Sequence, residues 1–398
     1  MNFTVHPVEN SSTPSTALEG NVKRLPPPAL RQDLRRRVAS ALGIKPHLVQ
    51  IAGHRERTSE LLLRCWGRAA QTRFFAKVYL ADPYPVIPRF ATPSEELACP
   101  GKPHRSLDEQ ISADVNMAQE MRRIVGTRNI PAPLGLSIVE RIVVYEEVDG
   151  LRLDHLANTG WPPTRHRAAV KAALFQAGNW LRRLHTTSCE GYETLQLDEI
   201  TGGLSELMRG RGMEKTRYTA LALTALESAR RALRPESSAR FPVALNHGDF
   251  SLPNLIWDGP PQHLWVLDFE LSTRRTILHD LGMMAFELKR LLLHPLASRG
   301  TIGQWEDAFW AGYGEVSRPL FAFVNALAAA RIFYHLFPKL LTWRKTRGLW
   351  AGTKASIYTG IFEPVIVRRI LRIPRHSMTA TVVAPVYSNS EIAAHRFD

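Results

Sequence analysis

Apolar and polar residues follow two different periods along this chain. Short runs rich in β-branched, leucine and aromatic residues predict strands, at 50–52, 61–66, 74–79, 136–139 and 141–148. Longer stretches with an apolar residue at every third or fourth position predict helices, at 30–42, 108–126, 165–185, 302–313 and 318–341. The first three strands follow one another closely, so we expect them to pair as an antiparallel sheet.

Two more short strands are predicted at 255–257 and 264–267, on either side of a turn rich in Asp, Gly and Pro. A hairpin brings its two ends together, so Asn254 and Asp268 should lie side by side at the open end. Neighbouring strands are about 5 Å apart, a gap that one Mg²⁺ ion with oxygen ligands at about 2.1 Å spans. The pattern therefore predicts Asn254 and Asp268 as ligands of Mg²⁺.

A polar loop precedes this hairpin. His247, Asp249 and Asn254 are spaced H-x-D-x-x-x-x-N, and Asp249 is placed where a carboxylate could accept the proton of an attacking hydroxyl. A catalytic loop followed by a metal-binding aspartate is the arrangement of a kinase. The alternative is an ordinary hairpin with charged loop ends.

These residues resemble the aminoglycoside phosphotransferase and choline kinase family of small-molecule kinases, which are relatives of the protein kinases. The matching motifs are H-G-D at 247–249, Asn254, D-F-E at 268–270 and D-L-G at 280–282, with His279 where the family has glycine. The resemblance covers about residues 45–350. It implies a bilobal protein-kinase-like α+β fold, with a small antiparallel sheet lobe carrying one helix, a larger mainly helical lobe, and ATP between them.

The resemblance also implies which residues bind the nucleotide. They are Lys77, Glu120, Gly53, Thr58, Ser59, Glu147 and Val148. Lys77 matches the strand lysine that holds the α and β phosphates, and the helix residue Glu120 is expected to pair with it. Glu109 and Asp114, on the same helix, are expected on its solvated face. Glu147 and Val148 fall where the backbone of the family binds adenine.

The predicted phosphate loop, 53–59, departs from the family because Gly53 is its only glycine. Arg55, Arg57 and the hydroxyls of Thr58 and Ser59 are therefore expected to share the phosphate contacts. A solvated hairpin turn is the alternative interpretation. His185 and His247 are expected to support the catalytic loop by packing and hydrogen bonding, because phosphoryl transfer needs one carboxylate base.

The same pattern predicts how the chain is divided. Residues 1–28 are expected to be a flexible tail, 29–148 the nucleotide-binding lobe with a proline-rich insertion at 82–108, 149–375 the catalytic and acceptor-binding lobe, and 376–398 a polar tail. The start of the chain lacks the apolar segment of a signal peptide. Three widely spaced cysteines favour a reducing compartment, so a cytoplasmic location is expected.

Charge restricts the possible partners. The net charge of +14 disfavours cationic ligands, and 331–375 holds ten Lys and Arg against the single acid Glu363. This segment is either a solvated basic face or a peripheral contact with an anionic membrane surface. Nucleic-acid binding would rest on charge alone without a recognised motif, so no nucleic acid is expected.

Together these features predict an ATP- and Mg²⁺-dependent phosphotransferase that moves the γ-phosphate to a hydroxyl of a small molecule. The basic charge favours a neutral or anionic acceptor, such as a sugar, a glycan precursor or a lipid-linked headgroup, over an aminoglycoside. Two alternatives stay open. The glycine-poor loop favours a nucleotide-binding regulator without turnover, and an atypical protein kinase is the other, although no Ala-Pro-Glu element is present.

Overall fold

A computed structural model describes the chain in segments, with gaps between them. The segments are 28–56, 60–67, 72–79, 106–158, 166–196, 238–259, 262–292 and 298–317, followed by 320–321, 323–325, 327–328 and 331–332. The predicted N-terminal tail up to 27, nearly all of the 82–108 insertion and the basic region after 332 lie outside the described residues, as do Thr58 and Ser59.

A five-stranded antiparallel sheet forms the smaller lobe. Its strands are β1 (Val49–Glu56), β2 (Glu60–Gly67), β3 (Thr72–Tyr79), β4 (Pro133–Ser137) and β5 (Ile142–Glu146). They are arranged in the order β1-β2-β3-β5-β4, with every neighbouring pair antiparallel. The three strands predicted first are confirmed as one sheet.

Two helices pack against this sheet, α1 (Pro28–Leu42) and α2 (Leu107–Val125). Leu34 and Val38 of α1 are buried in one cluster with strand residues such as Leu63 and Val144. Gly43 ends α1 at a φ of +65°, a conformation that glycine adopts without steric cost. Ser106 begins α2 with a capping box that Glu109 completes.

The larger lobe combines helices with two small sheets. Its helices are α3 (Leu153–Asn158), α4 (Arg167–Thr187), α5 (Leu278–Leu291) and α6 (Arg299–Tyr313). Its strands are β6 (Leu151–Arg152), β7 (Gly191–Gln196), β8 (Ser238–Asn246), β9 (Leu255–Asp258), β10 (His263–Val266) and β11 (Thr273–Thr276). They form the sheets β10-β9-β6 and β11-β8-β7, and a single large core joins them to the helices. No helix within the described segments has the length and apolar content needed to span a bilayer.

The close crossing of α4 and α6 yields a stability prediction. A Cβ added at Gly312 of α6 would collide with the backbone carbonyl of Phe175 in α4. We expect Gly312→Ala to lower the free energy of unfolding by roughly 1–3 kcal/mol, because the helices must separate or distort.

Gly303→Ala on the same helix is the matched control, since its added Cβ would meet nothing within 4 Å. It should be neutral or stabilising by up to about 1 kcal/mol. Urea unfolding of both variants measures the difference, and equal behaviour would contradict the close-packing argument.

Candidate active site

The predicted hairpin is present, and its two ends meet. Strands β9 and β10 pair antiparallel from Leu255 opposite Val266 to Asp258 opposite His263. One residue beyond, the backbone N–H of Leu267 donates to the carbonyl oxygen of Asn254 at 2.9 Å. Asn254 and Asp268 therefore lie at the same open end and line one cavity together with Lys77.

Asp249 is held beside Asn254. The Asn254 amide nitrogen donates to the Asp249 backbone carbonyl at 2.9 Å and to its carboxylate at 3.0 Å. The loop bends sharply at Gly248, which has a φ of +89°. A Cβ at Gly248 would collide with the carbonyl of Leu271, so glycine is required here by both conformation and space.

Asp280, from the D-L-G motif, anchors this loop to α5. Its two carboxylate oxygens accept the backbone N–H groups of His247 at 2.7 Å and Gly248 at 2.9 Å. Burial would raise the pKa of Asp280, but His185 and His279 beside it hold that pKa well below its ordinary value. Asp280 therefore stays charged as a fixed acceptor for the loop.

The histidines around this loop are buried and make the packing and hydrogen-bonding contacts expected for His185 and His247. The ring of His247 donates from Nε2 to the carbonyl of Leu267 at 2.9 Å, which ties the catalytic loop to the hairpin. His185 hydrogen-bonds the hydroxyl of Tyr313 at 3.0 Å and is buried. His279 is also buried, and burial, together with nearby Arg275 and Arg331, lowers its pKa to about 3, so its ring is neutral.

Lys77 lies among three carboxylates. Its Nζ is 2.7 Å from Glu270, 2.9 Å from Asp268 and 3.8 Å from Asp114. Lys77 is only 5% exposed, and burial alone would lower its pKa. The carboxylates, with Asp268 foremost, instead raise that pKa well above its ordinary value. The ammonium group is therefore positive across the physiological range.

The predicted pair between Lys77 and Glu120 is wrong. Glu120 instead accepts a hydrogen bond from Arg274 at 2.9 Å, at the surface. Glu120 lies six positions after Asp114, so the two side chains leave α2 on different faces. It is the face with Asp114 that turns toward β3 and Lys77.

The expectation of a solvated Asp114 is wrong as well, because this side chain is 1% exposed. It accepts from the hydroxyl of Tyr79 at 3.1 Å and from the backbone N–H of Phe269 at 3.1 Å. Asp114 thereby joins α2, β3 and the D-F-E motif. The signal was in the helix period, since Asp114 lies three residues after Ile111 and four before Ala118, both fully buried.

The cavity between the lobes has an apolar part and a polar part. Leu62, Ile256 and Leu267 line it together with Glu147 and Val148. These last two residues lie directly after β5, where the chain passes from one lobe to the other.

Just beyond this crossing, Asp149 is clamped to β3. Arg73 donates to both of its carboxylate oxygens, one of them at 3.0 Å. The clamp fixes the path of the connecting backbone along the cavity.

The phosphate loop differs from its prediction. Strand β1 continues to Glu56 and pairs with β2 as far as Leu61, so Gly53 lies within a strand, beside a register shift that begins at Ile51. Glycine is common at such bulges. The connection between the two strands is therefore 57–59 rather than 53–59, and Gly53 is not at its tip.

Asp114 is also an electrostatically costly group. Burial raises its pKa from the ordinary 3.8 to about 6, against the lowering effect of Lys77, and Asp268 and Glu270 raise it further. An acid whose pKa is higher in the folded chain binds its proton more tightly there than in the unfolded chain. This difference stabilises the fold, and the stabilisation is fully present at a pH below the unfolded pKa. That contribution is lost as the pH rises through the folded pKa, here between about pH 4 and about pH 6.

Replacing Asp114 with asparagine should remove this pH dependence. We expect the free energy of unfolding of the wild type, relative to that of Asp114→Asn, to fall by roughly 2–3 kcal/mol between pH 4 and pH 7. Urea titrations of both proteins across this range measure the difference, in which the other titrating groups largely cancel. A constant difference would show that Asp114 titrates alike in the folded and unfolded chains.

Comparisons with solved structures return antibiotic kinases at low identity. Amicoumacin kinase hAmiN, solved with AMP-PNP, Ca²⁺ and amicoumacin, is 11% identical, with a TM-score of 0.46 over 84% of this chain and 93% of that one. Macrolide 2'-phosphotransferase MphH from Brachybacterium faecium is 11% identical, with a TM-score of 0.48 over 83% and 97%. Aminoglycoside phosphotransferase APH(3'')-Id from Streptomyces rimosus is 16% identical, with a TM-score of 0.41 over 76% and 97%.

Comparison with curated protein sequences gives no significant match. The sequence profile described as "Phosphotransferase enzyme family" matches residues 99–324, which is more than half of the chain. The matched range contains the catalytic loop, the hairpin and the D-F-E and D-L-G motifs. The chain belongs to this phosphotransferase enzyme family.

Proposed function

We propose that this protein is an ATP- and Mg²⁺-dependent kinase that transfers the γ-phosphate to a hydroxyl group of a small molecule. The observation that carries the proposal is the meeting of an amide, a carboxylate and a buried lysine at a single cavity, with a second carboxylate beside it. Asn254, Asp268 and Lys77 line that cavity, and Asn254 holds Asp249 next to it. Phosphoryl transfer depends mainly on positioning and charge neutralisation, which such a set supplies.

The donor atoms suit Mg²⁺. The Asn254 amide nitrogen donates both of its hydrogen bonds to Asp249, so the amide oxygen points away from Asp249. Asp268 adds a carboxylate whose side chain is 24% exposed toward the cleft. Mg²⁺ is typically held by one or two protein oxygens together with substrate phosphates. When bound it would neutralise charge on the triphosphate.

Lys77 would bind the α and β phosphates, and the apolar part of the cavity would take the adenine. Leu62, Ile256 and Leu267 supply the apolar walls. The backbone at Glu147 and Val148 borders the same space, as the family resemblance implies for adenine recognition. The triphosphate would then extend toward Asp268 and the catalytic loop.

The surroundings of Asp249 favour a neutral acceptor. Glu287 lies close enough to Asp249 and to Asp154 to interact electrostatically with both. Each of the two neighbouring acids has its own arginine, Arg290 at 2.8 Å from Glu287 and Arg152 at 2.7 Å from Asp154. The ion pair nearest Asp249, Glu287 with Arg290, adds no net charge there, and its polar atoms suit the hydroxyl groups of a sugar or a glycan precursor.

Two measurements test this function. The first is thermal unfolding with ATP, with and without Mg²⁺, and we expect stabilisation that requires both. The second is ADP release in a screen of neutral sugars, anionic headgroups and a kanamycin-type aminoglycoside, in which we expect release with a neutral or anionic acceptor. Stabilisation without turnover on any acceptor would favour a non-catalytic nucleotide-binding regulator. Strong turnover of kanamycin would contradict the proposed acceptor class.

A further inference from the structure

The two carboxylates closest to Lys77 differ in their position relative to the cleft. Asp268 and Glu270 both contact its ammonium group, at 2.9 and 2.7 Å. Asp268 lies at the cleft, and its backbone is in the left-handed region at a φ of +72°. Glu270 points inward and is 3% exposed. The two acids therefore reach the same lysine from the solvent side and from the core side.

Asp268 cannot serve both the metal and Lys77 fully during the reaction. In the proposed chemistry its carboxylate would hold the metal ion, whose positive charge would weaken the attraction between Asp268 and Lys77. Glu120 is engaged with Arg274 at the surface. Asp114 is more distant, at 3.8 Å from the ammonium nitrogen. The short contact that stays with Lys77 is the one to Glu270.

Glu270 is itself firmly placed. The hydroxyl of Tyr79 lies 3.4 Å from the same Oε2 atom that accepts from Lys77. Tyr79 in turn donates to Asp114 at 3.1 Å, and its ring lies 5.0 Å from the Lys77 ammonium group. Glu270 and Asp114 thus share the single hydroxyl proton of Tyr79, which places the Glu270 carboxylate beside β3 and α2.

We propose that Glu270 is the positioning residue that keeps Lys77 directed at the nucleotide phosphates, the part that sequence resemblance gave to Glu120. Lys77 exchanges its contact with Asp268 for a phosphate oxygen when nucleotide and metal bind, and keeps its contact with Glu270. The residue that positions Lys77 and the proposed metal ligand, Asp268, thus belong to the same D-F-E motif, and the positioning residue does not come from helix α2. This inference rests on the proposed kinase activity.

Glu270→Gln is the direct test, and Glu120→Gln is its matched control because it makes the same chemical change on a surface ion pair. Without Glu270, Lys77 relies more on Asp268, so nucleotide binding should need more Mg²⁺. We expect the KM for ATP and the Mg²⁺ requirement to rise, and kcat/KM to fall about 10²-fold, the usual effect of a misplaced reacting group. Glu120→Gln should leave all three unchanged. The reverse ranking of the two variants would overturn the proposal.

Two further variants separate positioning from mere packing. Glu270→Asp keeps the charge at a shorter reach and should recover part of the activity that Glu270→Gln loses. The double variant Lys77→Met/Glu270→Gln should be no less active than Lys77→Met alone, because Glu270 acts through Lys77. It also removes the unbalanced buried lysine, so it tests the inference even where Glu270→Gln alone fails to fold. No recovery with aspartate, or multiplied losses in the double variant, would contradict the proposal.

The wild type separates this inference from the function beneath it. A wild-type protein that ATP and Mg²⁺ do not stabilise would overturn the proposed function and this inference together. A wild type that binds and uses ATP while Glu270→Gln behaves identically would overturn the positioning role alone.

Discussion

Asp268→Asn should abolish phosphate transfer, with the largest loss of any single substitution considered for this protein. Without the carboxylate, neutral amide oxygens alone would face the metal, and the triphosphate charge would be poorly neutralised. We expect kcat/KM to fall by more than about 10⁴-fold, beyond the loss of a single general base. The stabilisation by ATP in thermal unfolding should also lose its dependence on Mg²⁺, which a direct titration measures.

The fold should survive this substitution. Asp268 has a φ of +72°, a conformation that asparagine tolerates as well as aspartate does. Lys77 also keeps Glu270 as a close partner. Asp258→Asn, at the far end of the same hairpin, is the matched control and should retain wild-type activity. Wild-type rates in Asp268→Asn would remove Asp268 from the metal site, and a loss in both variants would indicate damage to the hairpin.

The placement of the H-G-D loop and the hairpin was accessible from the sequence because their geometry is local. Turn residues at 258–261 separate two short apolar runs, and a hairpin allows few alternatives once its turn is fixed. Asn254 and Asp268 meet because one comes just before the first strand and the other just after the second, and antiparallel pairing brings these two positions together. The structure confirms this meeting through the backbone hydrogen bond from Leu267 to Asn254.

The partner of Lys77 was not accessible in this way, because three separate elements decide it. Burying a charged side chain without a partner is costly, so sequence reasoning places Asp114 in solvent despite its position between Ile111 and Ala118. The compensating charge is Lys77, which arrives from β3. Glu270 arrives from a third segment. Which side chains meet in such a cluster depends on how distant segments of the chain pack together, and a local sequence pattern does not contain that information.

The strand at 49–56 was predicted too short for a different physical reason. Charged residues after Gly53 resemble a solvated loop, but β1 is an edge strand of its sheet. Edge strands carry charged residues readily because one side faces solvent, and charges there also discourage unwanted pairing. Local charge is therefore a poor guide to where such a strand ends.

Net charge and local charge give different information about the acceptor. The value of +14 belongs to the whole chain, whereas a ligand meets the groups next to Asp249. Glu287, the acid that interacts with Asp249, is balanced there by Arg290. This local balance is the support for the proposed neutral acceptor, and the basic residues after 332 lie outside the described part of the chain.

Asp249→Asn should stop the chemical step while leaving nucleotide binding intact. The amide is isosteric with the carboxylate and can still accept the hydrogen bond from Asn254, but it cannot take the proton of the acceptor hydroxyl. We expect kcat to fall about 10²–10⁴-fold, the contribution of one general base. The Mg²⁺-dependent stabilisation by ATP should match that of the wild type. Asp307→Asn, exposed on α6 of the same lobe, is the control and should change neither quantity.

The two aspartates of the cleft should therefore fail at different steps. Loss of Asp268 should remove Mg²⁺-dependent nucleotide binding, whereas loss of Asp249 should leave the bound nucleotide in place without proton removal from the acceptor. Single-turnover measurements with saturating ATP and acceptor separate the two, because they report the chemical step directly. A joint loss of ATP binding and turnover in Asp249→Asn would mean that this side chain organises the metal site, since a proton acceptor is not needed to bind ATP.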